Sequence, residues 1–226
     1  MRVAVILARS GSKRIPKKNY RTFCGKPMIY WVIKSAKNSK IFDKIEISTD
    51  SQKILNISKK FGVVTHQKRP KYLSGDFTTI FEVVKYELKR ILKTEKKISH
   101  ICCIIASAPF ITPFDLRESF FKLKRKKLKF IFPAKLVDNR ALRSFKFEKL
   151  NHLKAIFNKF MDMRTQDLPK IYHDAGQFYW GTKKAWLNEK NVFTKKTSLF
   201  FSQKDSVDID TMQDWKKAEK IFKSRK

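Results

Sequence analysis

Strand-like and helix-like patterns alternate along most of this 226-residue chain, and few folds are compatible with that order. A short, nearly uninterrupted apolar run predicts a buried strand, whereas apolar residues three or four positions apart predict an amphipathic helix. Strands separated by helices are typical of a parallel sheet with helices on its faces. We therefore expect an α/β fold.

The apolar spacing also predicts the individual elements. Predicted strands cover 2–7, 44–48, 63–65, 100–105, 176–181 and 197–202. Predicted helices cover 28–37, 51–61, 79–92, 113–123 and 183–187, and a last helix begins near Thr211. The alternation breaks down over 132–169, where short mixed segments indicate an excursion from the sheet. Since no repeat and no Pro/Gly/Ser-rich linker divides the chain, we expect one domain over 1–226 with an inserted arm at 132–169.

Composition limits the classes of function. The net charge of +32 favours anionic partners, but the basic residues are spread along the whole chain. No zinc-finger, RNP or helix-turn-helix signature is present, so a specific nucleic-acid partner is not expected. A basic nucleic-acid-binding protein remains the alternative from a different class.

No apolar run approaches the ~20 residues of a membrane helix, and three cysteines form no disulfide framework. We expect a cytoplasmic location and no membrane partner.

The loop after the first strand is rich in small and basic residues, and reads ARSGSKRIPKKN over 8–19. Ligands of open α/β sheets bind beyond the carboxyl ends of the strands. Gly11 and two serines would let the backbone turn its N–H groups toward an anion. The segment matches neither GxxxxGK[ST] nor GxGxxG. On spacing alone, a triphosphate site and a solvated basic loop are about equally well supported.

Two aspartates, Asp208 and Asp210, are separated by one residue near the last helix. In an extended segment residues i and i+2 project from the same face, so both carboxylates can approach one point. Such a pair suits Mg²⁺, which usually takes one or two carboxylates together with substrate phosphates. Alternatively, Asp210 or Thr211 caps the last helix. A cap does not explain Asp208, and both roles can hold together.

The first loop resembles the signature of the CMP-sialic acid synthetase family. Four further segments are similar to motifs of that family and occur in the same order: STD at 48–50, RPKYLSGD at 69–76, APF at 108–110 and VDIDT at 207–211. Together these segments span nearly the whole chain. The resemblance implies a Rossmann-like, mostly parallel sheet, a homodimer whose contact is formed by the arm, and CTP as a substrate.

The resemblance also implies roles for individual residues. Expected nucleotide-binding residues are Arg9, Ser10, Gly11, Ser12, Lys13, Asn19, Arg69 and Asp76. Expected metal ligands for Mg²⁺ are Asp208 and Asp210. Expected catalytic residues are Asp210, Arg9 and Lys18, because the sugar hydroxyl needs a base and the phosphates need cations.

The second substrate is expected to be a nine-carbon acidic sugar. HDAGQFYW at 173–180 departs from the neuraminate enzymes of the family and resembles the branch that acts on pseudaminic acid, as does RTQDL at 164–168. Ile105 stands where neuraminate enzymes carry a substrate-binding glutamine, which suits a less hydroxylated sugar. Expected sugar-binding residues are Arg143, Arg164, Gln166, His173, Gln177 and Tyr179. The arginines are equally well explained as exposed surface charge, and residues 173–180 as a half-buried aromatic strand.

The sequence therefore predicts an enzyme that couples CTP to pseudaminic acid and releases pyrophosphate. Within the same chemistry, N-acetylneuraminic acid or legionaminic acid is the alternative sugar.

Overall fold

A computed structural model describes residues 1–65, 67–148, 152–202 and 206–225. The strands are β1 (Arg2–Leu7), β2 (Thr22–Phe23), β3 (Lys26–Pro27), β4 (Lys44–Ser48), β5 (His100–Ile105), β6 (Phe130–Val137), β7 (Phe145–Phe147), β8 (Leu153–Ala155), β9 (Ile171–Asp174), β10 (Phe178–Thr182) and β11 (Thr197–Phe200). The helices are α1 (Met28–Asn38), α2 (Gln52–Lys60), α3 (Ile80–Ile91), α4 (Pro113–Arg125), α5 (Lys183–Asn188) and α6 (Met212–Lys223).

The central sheet has the strand order β11-β6-β10-β5-β1-β4. β1 lies between β4 and β5 and is parallel to both, and β11 is parallel to β6. β10 runs antiparallel to its neighbours β5 and β6. The sheet is therefore mixed but mostly parallel, and the predicted α/β class is confirmed.

The inner strands are apolar because both faces of the sheet are covered. The four central residues of β1 are all buried, as are the four central residues of β5. Gly181 of β10 is needed where the strand passes two aromatic side chains. A Cβ atom there would lie 2.5 Å from Trp186 Nε1 and 2.6 Å from the Phe130 ring, which leaves no room for a side chain.

Three helices begin with a reciprocal capping box, in which a threonine hydroxyl and an acidic side chain three residues later satisfy the free backbone N–H groups. The pairs are Thr79 with Glu82, Thr112 with Asp115, and Thr211 with Asp214. Thr211, and not Asp210, is therefore the cap of α6. The Asp210 carboxylate is left for another role.

The predicted strand at 63–65 is wrong. In place of a backbone carbonyl, the hydroxyl of Thr65 accepts a hydrogen bond from the backbone N–H of Ile47, at 2.9 Å. The same hydroxyl donates to Glu46 Oε2 at 3.1 Å. A buried side chain thus satisfies this edge of β4, and no additional strand forms there.

The described chain divides into two compact units, Met1–Pro133 with Gly176–Lys226, and Ala134–Ala175. In the second unit the 134–137 part of β6 pairs antiparallel with β9, and β7 and β8 form a hairpin. This unit overlaps the arm expected at 132–169. Within the described residues, no helix is both long and apolar enough to cross a bilayer.

Candidate nucleotide and metal site

The first loop, residues 8–19, is anchored to the strand next to β1. Its backbone begins with a hydrogen bond from Ala8 N to Ser48 O, at 2.9 Å. Ser10 then donates twice to Asp50, from its backbone N at 2.8 Å and from its hydroxyl at 2.6 Å. Burial raises the pKa of Asp50, but these hydrogen bonds, a bond from its own backbone and the charge of Arg69 together lower the net pKa. Asp50 is thus an ionised anchor that fixes where the loop leaves the sheet.

The turn in this loop differs from the expectation for Gly11. In the described part of the loop the left-handed backbone conformation occurs at Lys17, with φ 63°, and not at Gly11. A Cβ atom on Gly11 would meet nothing within 4 Å. Gly11 is therefore not needed to let this backbone turn, and its role toward a nucleotide stays a prediction.

Basic side chains of the loop are held by one carboxylate on the segment before α3. Arg9 Nη1 lies 2.9 Å from Asp76 Oδ1, and Lys13 Nζ lies 2.6 Å from Asp76 Oδ2. Hydrogen bonds from Lys13 and Arg9 hold the pKa of Asp76 below its ordinary value. The Asn19 amide donates to the Arg9 carbonyl at 2.8 Å, which ties the end of the loop to its start.

A cavity of about 270 Å³ opens beside this loop. Its polar wall carries four cationic or amide side chains, and its apolar wall comes from β1, β5 and the start of α3. The lining residues are Leu7, Arg9, Ser12, Lys18, Asn19, Arg69, Leu73, Gly75, Asp76, Thr78, Ile80, Val83, Ile105 and Ser107. The cavity therefore combines positive charge with an apolar surface, as a nucleotide requires.

Lys18 joins this cavity to the acid pair, Asp208 and Asp210. Its ammonium donates to the carbonyl of Ile209 and lies 3.6 Å from Asp210 Oδ1. The side chain is only 17% exposed. Burial lowers the pKa of Lys18, and the charges of Asp210 and Asp208 partly oppose that effect.

The burial of residues 208–210 agrees with an acid pair on one face of the segment, and its role at a metal stays a prediction. Ile209 is 1% exposed, whereas Asp208 is exposed and Asp210 is half-buried. The two carboxylates thus lie on the side of the segment opposite Ile209. Arg14 Nη2 is 2.8 Å from Asp210 Oδ1.

The acid pair also fits a magnesium ion. Carboxylate oxygens are the hard ligands that Mg²⁺ prefers. No group of three or more His, Cys, Asp or Glu able to hold a metal occurs in the part of the chain that the structure describes. The chain would therefore supply two carboxylates, and the substrate phosphates would supply further oxygens. Gly176, with φ 61°, lies beside the pair, since a Cβ there would be 3.7 Å from Asp208 Oδ2.

Arg69 is the most buried cation of the cavity, at 5% exposure. Its backbone N donates to Thr49 O at 2.7 Å, and its Nε donates to Ser74 Oγ at 3.2 Å. Burial lowers the pKa of Arg69, while the negative charges of Asp50 and Glu87 oppose this. The guanidinium is therefore fixed on the cavity wall.

The structure brings together some of the predicted site residues. Among the predicted nucleotide-binding and catalytic residues, those that line the cavity are Arg9, Ser12, Lys18, Asn19, Arg69 and Asp76. Ser10, Gly11 and Lys13 belong to the same loop but are not among the lining residues of the described chain. Their contacts with a nucleotide stay predictions.

The predicted sugar-binding residues fall in both units. In the first unit, Gln177 is 5% exposed and its carbonyl accepts from Ile105 N at 2.8 Å. Tyr179 is also 5% exposed, with its ring centroid 5.6 Å from that of Phe132. The second unit holds four, namely Arg143, Arg164, Gln166 and His173. Their sugar contacts stay predictions.

In that second unit, both arginines already have partners. Arg164 Nε lies 2.6 Å from Asp167 Oδ2. Arg143 donates to the Phe160 carbonyl at 3.4 Å.

Sequence reasoning missed several residues around the cavity. The sequence indicates Asp50 only as part of the STD motif, and the residue spacing does not predict its hydrogen bonds from Ser10. Thr78 and Ser107 line the cavity without having been predicted. Ser107 follows the carboxyl end of β5, and that position could have revealed it.

Comparisons with known proteins show the family and the fold of this chain. A family model described as Cytidylyltransferase matches residues 3–225. The chain is 39% identical to a pseudaminic acid cytidylyltransferase of Campylobacter jejuni over 98% of this chain and 96% of that protein. It is 29% identical to a CMP-N,N'-diacetyllegionaminic acid synthase of Legionella pneumophila, over 97% and 95% of the two chains.

A solved structure shares the fold. The CTP complex of CMP:2-keto-3-deoxy-manno-octonic acid synthetase superposes with a TM-score of 0.74 over 100% of this chain and 99% of that one, at 14% identity. The match of the family model over nearly the whole length, together with the 39% identical relative, establishes that this chain belongs to the cytidylyltransferase family.

Proposed function

We propose that this cytidylyltransferase uses CTP to activate a nonulosonic acid, and that the sugar is pseudaminic acid. The observation that carries the proposal is the position of Lys18, which lines the cavity and also contacts Asp210. A single side chain thus links a basic cavity of about 270 Å³ to the acid pair. Triphosphate binding and sugar attack need these two features side by side.

In the proposed reaction, an anomeric oxygen of the sugar attacks the α-phosphorus of CTP. A phosphorus–oxygen bond forms to the sugar, and the bond to pyrophosphate breaks. Arg9, Lys18 and Arg69 face the cavity and would stabilise the negative charge on the phosphates. Asp210 is the group that we assign to take the proton of the attacking hydroxyl.

The exposed ion pair between Arg9 and Asp76 at the cavity can be replaced by a contact between Arg9 and a phosphate. Arg9 is 39% exposed in its pair with Asp76, and such pairs contribute little to stability. Arg9 can therefore leave Asp76 for a phosphate without a large penalty. Asn19, which donates to the Arg9 carbonyl, would place its amide toward the nucleoside.

Asp208 and Asp210 are the residues that would hold Mg²⁺. The ion would neutralise the triphosphate and orient the α-phosphorus for in-line attack. Arg14 and Lys18 are the cations beside Asp210, and Lys18 is the one of the two that also lines the cavity.

Three observations support pseudaminic acid as the sugar. The relative at 39% identity carries that activity in its name, whereas the legionaminic acid relative is 29% identical. The segment at 173–180 resembles the pseudaminic acid branch. Ile105 lines the cavity, and an apolar residue there favours a sugar with fewer hydroxyl groups.

The proposed homodimer is supported by the second unit. Phe145, Phe147 and Leu153 lie on one face of the β7–β8 hairpin, because Phe147 pairs with Leu153 and residues i and i+2 share a face. They are 49%, 74% and 60% exposed. A second copy of the chain would cover such an apolar face. The cytoplasmic location expected from the sequence stays a prediction.

A sugar screen tests the proposed function. The purified protein is incubated with CTP, Mg²⁺ and one of three sugars: pseudaminic acid, N-acetylneuraminic acid or N,N'-diacetyllegionaminic acid. Pyrophosphate release is then measured. We expect the highest kcat/KM with pseudaminic acid, and no release when ATP replaces CTP. A preference for either other sugar would overturn the substrate assignment, and no release with any sugar would overturn the function.

A further inference from the structure

A group of exposed cations lies at one edge of the central sheet, and the proposed reaction does not use it. β5, β6 and β11 run in the same direction, because β10 is antiparallel to both β5 and β6, and β11 is parallel to β6. The segments that lead into these three strands therefore meet at the edge formed by the amino ends of the strands. We call their exposed cations the basic edge: Lys96, Lys97, Lys124, Arg125, Lys126, Lys127, Lys195 and Lys196.

Backbone hydrogen bonds place these segments side by side. His100, the first residue of β5, is paired with Thr182 of β10. Thr182 N donates to the carbonyl of Lys129 at 3.1 Å, and Lys129 N donates to the carbonyl of Lys196 at 2.7 Å. Neighbouring strands are about 4.8 Å apart, so the row from β5 to β11 spans about 14 Å. The eight cations thus lie along one short stretch of the sheet edge.

The positive charge of the basic edge is not neutralised by nearby carboxylates. The acidic residues in the segments around it pair with other cations, as Asp43–Arg2, Glu95–Lys44 and Glu189–Lys129. No salt bridge joins any of the eight cations to a carboxylate of the described residues. Burial lowers the pKa of Lys122, and the positive charges of Lys126 and Arg125 lower it further. This edge therefore attracts an anionic partner.

Two exposed phenylalanines accompany the basic edge. Phe121 is 52% exposed and lies on α4, one turn before Lys124. Phe193 is 69% exposed and lies two residues before Lys195. A bilayer surface attracts cations through its anionic headgroups and takes up apolar side chains at the boundary between headgroups and acyl chains. Both kinds of side chain are present at this edge.

We propose that the basic edge binds the surface of a membrane that contains anionic phospholipids. Seven of the eight cations are lysines, which are compact point charges and suit headgroups spread over a plane. A nucleic-acid surface favours arginine, whose planar guanidinium binds a phosphate with two hydrogen bonds. The expectation of no membrane partner was drawn from the lack of a membrane-length apolar run, and contact with the surface does not need one.

The basic edge and the cavity lie at opposite ends of the strands. The cavity is lined by Leu7 and Ile105, the last residues of β1 and β5. His100 and Ile105 are five residues apart in β5, so the two ends are separated by about 17 Å. The Debye length is only about 8 Å at physiological ionic strength. A bound membrane would therefore leave the cavity open, and the proposal does not depend on the proposed function.

The test measures binding of the full chain to vesicles by sedimentation. Vesicles of phosphatidylcholine with about one third phosphatidylglycerol are compared with vesicles of phosphatidylcholine alone. The edge variant combines Lys124→Gln, Arg125→Gln and Lys126→Gln. The matched control combines three exposed lysines of α6, as Lys216→Gln, Lys217→Gln and Lys220→Gln. Both variants lose three positive charges, and circular dichroism checks that both are folded.

The anionic vesicles should bind the wild type at least about tenfold more tightly than the neutral ones, and high salt should abolish this binding. We expect the edge variant to bind anionic vesicles about a hundredfold more weakly, and the control variant to stay within about threefold of the wild type. Equal losses in the two variants would show that only net charge matters, and would overturn the proposal. Equal binding of the wild type to both kinds of vesicle would also overturn it.

Phe121→Ser and Phe114→Ser test the same contact without a change of charge. Both side chains are exposed on α4, but Phe114 lies at its start and Phe121 lies near its end, beside the basic edge. We expect about a fivefold loss of vesicle binding for Phe121→Ser and less than about a twofold loss for Phe114→Ser. No difference between the two variants contradicts the proposal.

Single-stranded RNA is the competing partner, and its binding is measured at the same salt concentration. We expect RNA to bind the wild type more weakly than anionic vesicles do. If RNA binds more tightly and the edge variant loses this binding, the basic edge is a nucleic-acid surface and the proposal is overturned. Failure of the wild type to release pyrophosphate would overturn the proposed function, while the vesicle measurements would still decide the role of the basic edge.

Discussion

Two sets of charged residues are connected to the cavity through the lining residues Arg9, Asp76, Lys18 and Arg69, and they differ in how exposed they are. The rim pairs are Arg9–Asp76, Lys13–Asp76 and Arg14–Asp210, in which the cations are 39%, 82% and 67% exposed. The buried set is Arg69, Glu87, Arg90 and Glu46. Exposed pairs are screened by water and exchange partners easily, whereas buried charges keep one arrangement.

This difference indicates that the exposed and the buried cations have different roles in binding the phosphates. The rim cations can exchange a carboxylate for an incoming phosphate, since the pairs that they break are weak. The buried set provides one cation, Arg69, whose position does not have to change. Lys18 lies between the two sets, because it is mostly buried and yet contacts the half-exposed Asp210.

The largest effect is expected at Asp210. Asp210→Asn removes a proposed metal ligand and base, and we expect kcat/KM to fall by about a thousandfold, or about 4 kcal/mol. The fold should persist, because Thr211 caps α6. Pyrophosphate release measures the activity, and circular dichroism measures the fold.

Asp214→Asn is the matched control for Asp210→Asn. Asp214 completes the capping box of α6, so this variant should lower Tm and leave most of the activity. Near-normal turnover in Asp210→Asn would show that Asp210 is neither the base nor an essential metal ligand. The charged residues of the rim pairs and of the buried set would then contribute to substrate binding and not to the chemical step.

Lys18 and Arg14 both contact the carboxylate of Asp210, but Lys18 is mostly buried and Arg14 is exposed. Lys18→Met keeps the apolar stem and removes the ammonium of a side chain that is 17% exposed, and Arg14→Gln removes the charge of one that is 67% exposed. We expect kcat/KM to fall by about a hundredfold for Lys18→Met and by less than about threefold for Arg14→Gln. Steady-state kinetics with CTP as the varied substrate provides the measurement. Equal losses would mean that burial does not separate the two cations.

The sequence predicted the parallel strands β1, β4 and β5 well, because a buried parallel strand needs a continuous apolar run. It missed β6, a strand of the central sheet whose residues from 132 onward were expected in the arm. β1, β4 and β5 begin and end at the predicted residues. The strand at 63–65 was wrong because a hydroxyl, which no periodicity reveals, replaced a backbone partner. The antiparallel direction of β10 was also not foreseen, since its pattern carries no information on strand direction.

The candidate site was predicted where residues lie close together along the chain. The first loop and the acid pair were found as local patterns, and Lys18 brings them together across 191 residues. Glu87 was not noticed, because one acidic residue on a helix is normally a solvated one. Its burial and its hydrogen bond from Ser48 of β4 depend on the tertiary fold.

The smallest effect is expected in the dependence of stability on pH. Burial raises the pKa of Asp50, but the hydrogen bonds from Ser10, a bond from its own backbone and the charge of Arg69 together lower it below its ordinary value of 3.8 in the folded protein. Asp50 therefore stabilises the fold above that pH, and the contribution is lost as the pH falls through its lowered pKa. Urea unfolding of Asp50→Asn and the wild type should show a stability gap at about pH 6 that closes toward about pH 3.

Asp76→Asn tests the same effect as Asp50→Asn at a more exposed carboxylate. Its carboxylate also has a lowered pKa, caused by hydrogen bonds from Lys13 and Arg9, so the sign of its effect is the same. Water screens these bonds, and we therefore expect a smaller gap at about pH 6 than for Asp50→Asn. A gap as large in Asp76→Asn would mean that the rim pairs are as firmly held as the buried charges. The rim cations could then not leave their carboxylates cheaply, and binding of a triphosphate would have to rely on Lys18 and Arg69.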